Sequence, residues 1–362
     1  MFYHLLYPLH TTFSAFNVFR YLTFRTAYAI LTALVISLFL GPWMIRLLKR
    51  YQVGERIREL GPKAHQAKAG TPTMGGLLIL TALTLPTLLW ADLTNRYIWL
   101  LLYTAFGFGL IGFLDDYLKL SGRRGDGLGV KEKLLAQSVV ALGTALFLYL
   151  FPDNPAVVTK LSVPFFKNFT PDLGVAYVPY VVLVIVATSN AVNITDGLDG
   201  LAIGPIIIAM LAYTVIVYLS GNVKFAQYLN IFYIRGAGEV TVFCGSVLGA
   251  SLGFLWYNAY PAQIFMGNVG SLSLGGILGT VAVLSKHELL LFLVGGIFVI
   301  EVVSVILQVA YFKISGGKRI FRMAPLHHHF EEKGWEEPKV IVRFWIIAII
   351  LALLSLSTLK LR

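Results

Sequence analysis

Apolar residues gather along this chain into runs of about 20, separated by short polar intervals. Ten runs stand out, at about 24–46, 73–91, 97–115, 133–151, 175–192, 200–219, 240–257, 271–285, 289–312 and 340–359. As helix, about 20 residues cross a hydrocarbon core roughly 30 Å thick. The pattern predicts an all-α, polytopic integral membrane protein with about ten transmembrane helices. Residues 1–362 read as one transmembrane domain, with no internal repeat and no separate soluble unit. The eighth run is short and rich in glycine (Gly270, Gly275, Gly276, Gly279), which suits close helix packing or a broken helix.

The polar intervals set the orientation. Arg46, Lys49, Arg50, Arg56, Arg58, Lys63 and Lys68 follow the first run; Lys119, Arg123, Arg124, Lys131 and Lys133 follow the third. Lys313, Lys318, Arg319, Arg322, Lys333 and Lys339 follow the ninth. All follow odd-numbered runs, so they share one side, and the positive-inside bias makes that side cytoplasmic. Both termini are then expected on the periplasmic side.

Composition agrees with the pattern. The chain is 57% hydrophobic and 13% charged, with mean hydropathy +0.76, against roughly 25% charged for soluble domains. The net charge of +11 fits cytoplasmic loops and anionic lipids or phosphorylated substrates. With no soluble basic domain to carry it, no nucleic-acid partner is expected. The single Cys244 has no intrachain disulfide partner and reads as a packing residue.

Five polar constellations fall on the cytoplasmic side. Asp115 and Asp116 end an apolar run; adjacent positions on a helix diverge by about 100°, so the two carboxylates can serve different roles. In "SNAVNITDGLDGLA", helical spacing puts Asn193, Asp196 and Asp199 near one face, with Asn190 just before them. Such oxygen-rich groups suit Mg²⁺ or hydrogen bonding to a nucleobase and ribose. "KAGTPTMGG" offers Lys68 and Thr73 beside glycines that let main-chain N–H groups approach an anion, without the spacing of a P-loop. "APLHHHFEEKGW" carries His327, His328 and His329, which regular structure cannot aim at one metal; one or two suit phosphate donation. Asn258, Phe265 and Asn268 lie just ahead of the eighth run, an aromatic and two amides able to stack on and hydrogen-bond a base.

Together, in this order and over essentially the whole chain, these motifs resemble the phospho-N-acetylmuramoyl-pentapeptide transferase family. The resemblance implies a ten-helix, Mg²⁺-dependent enzyme of the bacterial inner membrane, and a homodimer. Its implied substrates are UDP-N-acetylmuramoyl-pentapeptide and undecaprenyl phosphate, its products lipid I and UMP. By position, Asp115 and Asp116 would be the catalytic acidic pair, with His327 and His328 touching substrate phosphates. Lys68, Asp196, Asp199, Asn258 and Phe265 would bind nucleotide and phosphate, and Thr73, Asn190, Asn193 and Lys131 complete the expected substrate-binding set. One departure stands out: the family pattern has Asp where this chain has Asn268, and that carboxylate is the expected Mg²⁺ ligand. The change is expected to be engineered and inactivating.

Two rivals share some features. A related polyprenyl-phosphate N-acetylhexosamine-1-phosphate transferase would share the acidic motifs, but "PLHHHFE" and "GTPTMGG" favour the muramoyl-peptide substrate. A secondary transporter would place its ionisable groups near mid-membrane. Glu301 is the single acid well inside a predicted span, and the other acids cluster at one surface.

Overall fold

The computed structural model describes residues 1–51, 70–121, 127–166 and 168–360. Its long helices follow the apolar runs: α1 Leu22–Arg50, α2 Gly76–Trp90, α3 Arg96–Leu120, α4 Val130–Leu150, α5 Tyr177–Thr195, α6 Ile203–Ser220, α7 Ala237–Asn258, α8 Gly267–Leu284, α9 Gly296–Ile314 and α10 Glu337–Thr358. Among the described residues, nine helices are long and apolar enough to cross a membrane, and α2 is a shorter apolar helix of 15 residues. Among the described residues there is no strand, and Lys160 and Asp172 form an isolated antiparallel bridge. The all-α expectation holds.

Small residues set how closely the helices approach. Between helices in lipid, close packing replaces the hydrophobic drive that operates in water. Gly245, Gly249 and Gly253 recur every four residues on α7 and face α1. A Cβ at these positions would lie 2.9 Å from Thr26 Cγ2, 2.1 Å from Ile30 O and 2.4 Å from Ser37 Cβ. On α8, a Cβ at Gly275 would lie 2.6 Å from Ser189 Cα of α5. The glycine-rich eighth run is therefore a continuous, closely packed helix at the centre of the bundle, almost wholly buried.

The break falls in the ninth run instead. That run was expected to be one helix, but a short turn, Leu291–Val294, precedes α9, and Gly295 at φ −94°, ψ 22° leaves the helical region between them. The Gly295–Gly296 pair offers the backbone little resistance to leaving the helix there.

The helix directions gather the polar intervals at one end. Both termini lie at the other: the Met1 amine donates to Leu88 O at 2.7 Å, at the far end of α2, and Lys360 Nζ sits 3.6 Å from the centroid of the Tyr228 ring beyond α6. At that far end the buried Arg25 of α1 forks onto Glu239 of α7 at 2.7 and 2.6 Å, a bidentate pair that offsets the cost of taking both charges from water.

Candidate functional site

The site begins where α2, α3 and α8 touch without side chains between them. A Cβ at Gly76 would fall 2.0 Å from Gly270 N, and one at Gly112 would fall 2.2 Å from Asn268 O. Glycine at these points lets the start of α8 reach the end of α3. Gly267, at φ +68°, turns the chain into α8 in a conformation that favours glycine, with Thr73 and Asp116 close against it.

That approach brings Asn268 onto the acidic pair. Its Nδ2 donates to Asp115 Oδ2 at 2.5 Å and to Asp116 Oδ1 at 2.7 Å, while Val269 N–H points at Asp116 Oδ2 at 3.3 Å. Both carboxylates are buried. Asp115 also accepts from Lys119 Nζ at 2.6 Å and from Leu128 N–H at 2.9 Å, and Lys133 Nζ lies 3.8 Å away. The charge of two adjacent carboxylates is thus offset by two ammonium groups and an amide.

Asn193 joins the cluster from α5. Its Nδ2 donates to Asn268 Oδ1 at 2.6 Å and to Ser271 Oγ at 2.8 Å, and its Oδ1 accepts from Lys133 at 3.4 Å. Asn190, one turn earlier, donates to Gln137 Oε1 of α4 at 2.7 Å and to Val186 O. It braces α5 against α4 below the cluster. Lys131 is exposed, whereas Lys133, two residues on, faces the acids. Two residues turn a helix by about 200°, so these lysines point to opposite sides.

The turn after α5 and the loop after α7 form the neighbouring wall. Asn258 is buried with both ends of its amide engaged: it accepts from Gly200 N–H at 3.1 Å and donates to Ile264 O at 2.9 Å. Asp199 accepts from Ala262 N–H at 2.9 Å, and its own N–H donates to Glu337 Oε1 at 3.0 Å. These residues fix the wall through backbone groups. Asp196 and Phe265 are half-buried on it. The Phe265 backbone pairs with the segment before α2, its N–H donating to Pro72 O at 2.8 Å and its carbonyl accepting from Gly75 N–H at 2.9 Å. Thr73 is half-buried in that segment; Lys68 lies outside the described residues.

The three histidines start a short helix, Leu326–Glu331, and diverge as three consecutive residues must. His329 Nδ1 accepts from Arg322 N–H, and His328 Nδ1 pairs with Glu331 at 2.7 Å. His327 turns inward, 1% exposed, with Nδ1 3.2 Å from Glu301 Oε2 and its ring against Gly197. Burial lowers its pKa below the ordinary imidazole value, and Glu301 partly opposes that shift.

Lys119, Lys133, Ser271 and Glu301 were absent from the expected site. Lys133 had a signal: with Gln137, Ala141 and Thr144 it forms a polar and small stripe along an otherwise apolar helix, and the latter three are buried. Glu301 had another, as an acid within an apolar run is costly without a partner.

The donor set fits a hard divalent cation in kind. Two carboxylate oxygens converge on one point, the chemistry Mg²⁺ takes from a protein when substrate phosphates supply the rest. Among the described residues no group of three His, Cys, Asp or Glu gathers. The third member here is the Asn268 amide.

Known proteins match along the same segments. The glycosyl transferase family 4 model matches residues 98–286, and signature 1 of phospho-N-acetylmuramoyl-pentapeptide-transferase matches 68–80. The chain is 61% identical over 362 residues to the phospho-N-acetylmuramoyl-pentapeptide-transferase of Desulfosudis oleivorans, covering 100% of both chains. It is 62% identical to that of Desulfatibacillum aliphaticivorans over 365 residues and 59% identical to that of Maridesulfovibrio salexigens over 362, again covering 100% of each chain.

Proposed function

We infer the activity from a premise the matches establish: the chain belongs to the phospho-N-acetylmuramoyl-pentapeptide-transferase family. It is a multi-pass protein of the bacterial inner membrane and a phospho-sugar transferase. It moves phospho-N-acetylmuramoyl-pentapeptide from the UDP-linked precursor to undecaprenyl phosphate, giving lipid I and UMP for peptidoglycan synthesis. The observation that best supports this reading at the level of atoms is the meeting of Asp115, Asp116 and Asn268 between two lysines.

In the reaction a lipid-phosphate oxygen attacks the β-phosphorus of the UDP-sugar. A new P–O bond forms, and the bond to the leaving UMP breaks. Both reactants are anionic, so positioning and charge neutralisation dominate the barrier. Lys119 and Lys133 place positive charge beside Asp115, where the two phosphates are to be drawn together. Asp115 accepts the proton of the lipid phosphate, and Asp116 holds the start of α8 in place through Val269 N–H. The Asp196–Asp199 turn and Phe265 receive the uridine, with His328 toward the phosphates; Lys68, outside the described residues, is assigned to phosphate binding from the sequence motif alone. Asp115 and Asp116 would hold Mg²⁺, joined by the Asn268 oxygen once its amide turns over, since its NH₂ group now faces both carboxylates; when bound, the ion would neutralise pyrophosphate charge. A neutral amide holds such a cation more weakly than a carboxylate, so turnover by this chain is slow. The protein works as a homodimer in the lipid bilayer.

The direct test is UMP release from UDP-N-acetylmuramoyl-pentapeptide with undecaprenyl phosphate in detergent or nanodiscs, by this chain and its Asn268→Asp variant. UMP formed only when both substrates are present supports the assignment. No lipid-dependent UMP from either form overturns it.

A further inference from the structure

Glu301 lies inside α9 and is fully buried at 0% exposure. A carboxylate at such a place needs a compensating partner. Two of its contacts go to one residue: its Oε1 accepts from His327 backbone N–H at 3.2 Å, and its Oε2 lies 3.2 Å from His327 Nδ1. His327, equally buried, presents its other nitrogen to the turn after α5. A Cβ added to Gly197 would fall 2.3 Å from Nε2, so the imidazole edge rests directly on the backbone of that turn. Neither ring nitrogen meets hydrogen-bond geometry with a described residue, and nor does Glu301 Oε2; Nδ1 and Oε2 instead face each other as a 3.2 Å electrostatic contact, while Nε2 faces only the turn.

We propose that Glu301 is a positioning residue that fixes the orientation and tautomer of His327, and through it the Asp196–Asp199 turn. A carboxylate oxygen 3.2 Å from Nδ1 repels a lone pair there and attracts an N–H, which favours the proton on Nδ1 and leaves Nε2 as the acceptor. This is the orienting role that a carboxylate plays behind a functional imidazole in many sites. The line of contact runs from α9 to His327 to Gly197, and so to the acids on either side of Gly197. The proposal rests on the reading of that turn as the nucleotide end of the site.

The test uses the full chain in nanodiscs with ¹⁵N-labelled histidine, the His327 signals being assigned by their loss in His327→Gln. The imidazole is expected as the Nδ1–H tautomer. In Glu301→Gln the side-chain oxygen still takes the His327 backbone N–H, so its NH₂ group faces Nδ1 and the tautomer inverts to Nε2–H. UMP, used as the binding probe, is expected to bind about tenfold more weakly to Glu301→Gln. Glu301→Asp, which keeps the carboxylate, should recover most of that loss. An Nε2–H tautomer in the unmodified chain overturns the proposal without any variant having to fold. So does UMP affinity for a folded Glu301→Gln within about twofold of the parent. Absence of UMP binding to the unmodified chain would instead defeat the nucleotide-site reading, and the tautomer alone would then judge the pair.

Discussion

Lys133 of α4 places its Nζ 3.8 Å from Asp115 Oδ2 of α3, although 18 positions separate them along the chain. The ammonium group is largely withdrawn from water and also reaches Asn193, so it is held where phosphate charge must be neutralised. Removing one such charge from a preorganised site typically costs about 10²–10³ in turnover. In the Asn268→Asp background, Lys133→Ala is expected to lower kcat for UMP release by about a hundredfold. Lys131→Ala, on the exposed side of the same helix, is expected to change it less than about twofold. Equal effects of the two substitutions would show that the helix phase does not matter here.

Gly76 and Gly270 make a second test, of packing. A methyl group at Gly76 would sit 2.0 Å from a backbone nitrogen, which no rotamer change can relieve. Gly76→Ala is expected to destabilise the protein by about 1–3 kcal/mol through overpacking. It should also pull Asn268 away from Asp115 and Asp116. Thermal unfolding in nanodiscs measures the first effect. A Gly76→Ala protein with an unchanged midpoint would mean that α2 and α8 can part without loss.

The bundle was legible in the sequence because apolar length alone announces a membrane helix. Every predicted run has a helix over it, and the ends differ by a few residues in most cases. The exception, the ninth, turned on a Gly–Gly pair whose effect on the backbone depends on its neighbours. The site was legible as a set of residue types, less so as a set of roles. Asp115, Asp116, Asn193 and Asn268 do come together. Asn258 and Asp199 carry polar groups suited to a nucleotide, yet spend them on backbone N–H and carbonyl groups. Which partner a buried amide takes is a tertiary matter, and composition is silent on it. Lys133 and Glu301 were passed over because a motif reading favours residues close in sequence to one another.

Protonation of His327 gives a pH test with a fixed sign. Its folded-state pKa lies below the ordinary value of about 6.5, chiefly because burial disfavours the charged ring. Between the two values the unfolded chain binds the proton and the folded chain does not. This contribution is therefore intact above about pH 6.5 and is lost as pH falls below it toward the lower folded value. Each unit of separation is worth about 1.4 kcal/mol. The melting midpoint of the parent is expected to fall more steeply between pH 7.5 and about 5.5 than that of His327→Gln. Parallel pH curves for the two would show that His327 titrates alike in both states.

The two ends of the bundle should be separable by labelling. His328 lies on the short helix beside the site and Lys160 in the loop between α4 and α5. Cysteines placed at these positions, with Cys244 replaced, are expected to react from opposite sides of inverted and right-side-out vesicles. Labelling of both from the same side would sink the arrangement of charged loops on one face.

The sharpest prediction concerns Asn268. In this chain its NH₂ group occupies the point at which Asp115 and Asp116 converge, 2.5 and 2.7 Å from their oxygens. The amide thereby does without a cation what a cation would do, bridging two carboxylates that otherwise repel. An aspartate of nearly equal volume would put a third negative charge at that point and demand a divalent ion to hold it. Asn268→Asp is therefore expected to be less stable than the parent in chelator and to gain stability on adding Mg²⁺, by mass action on the folded state. The parent's midpoint should respond far less. In turnover the order reverses. Recovering ~4 kcal/mol of transition-state stabilisation corresponds to a rate about a thousandfold higher, and that gain should vanish in chelator. Melting curves and UMP release, each at saturating and at limiting Mg²⁺, test both halves on the same samples. Equal rates and equal Mg²⁺ responses for the two forms would show that position 268 does not face the metal.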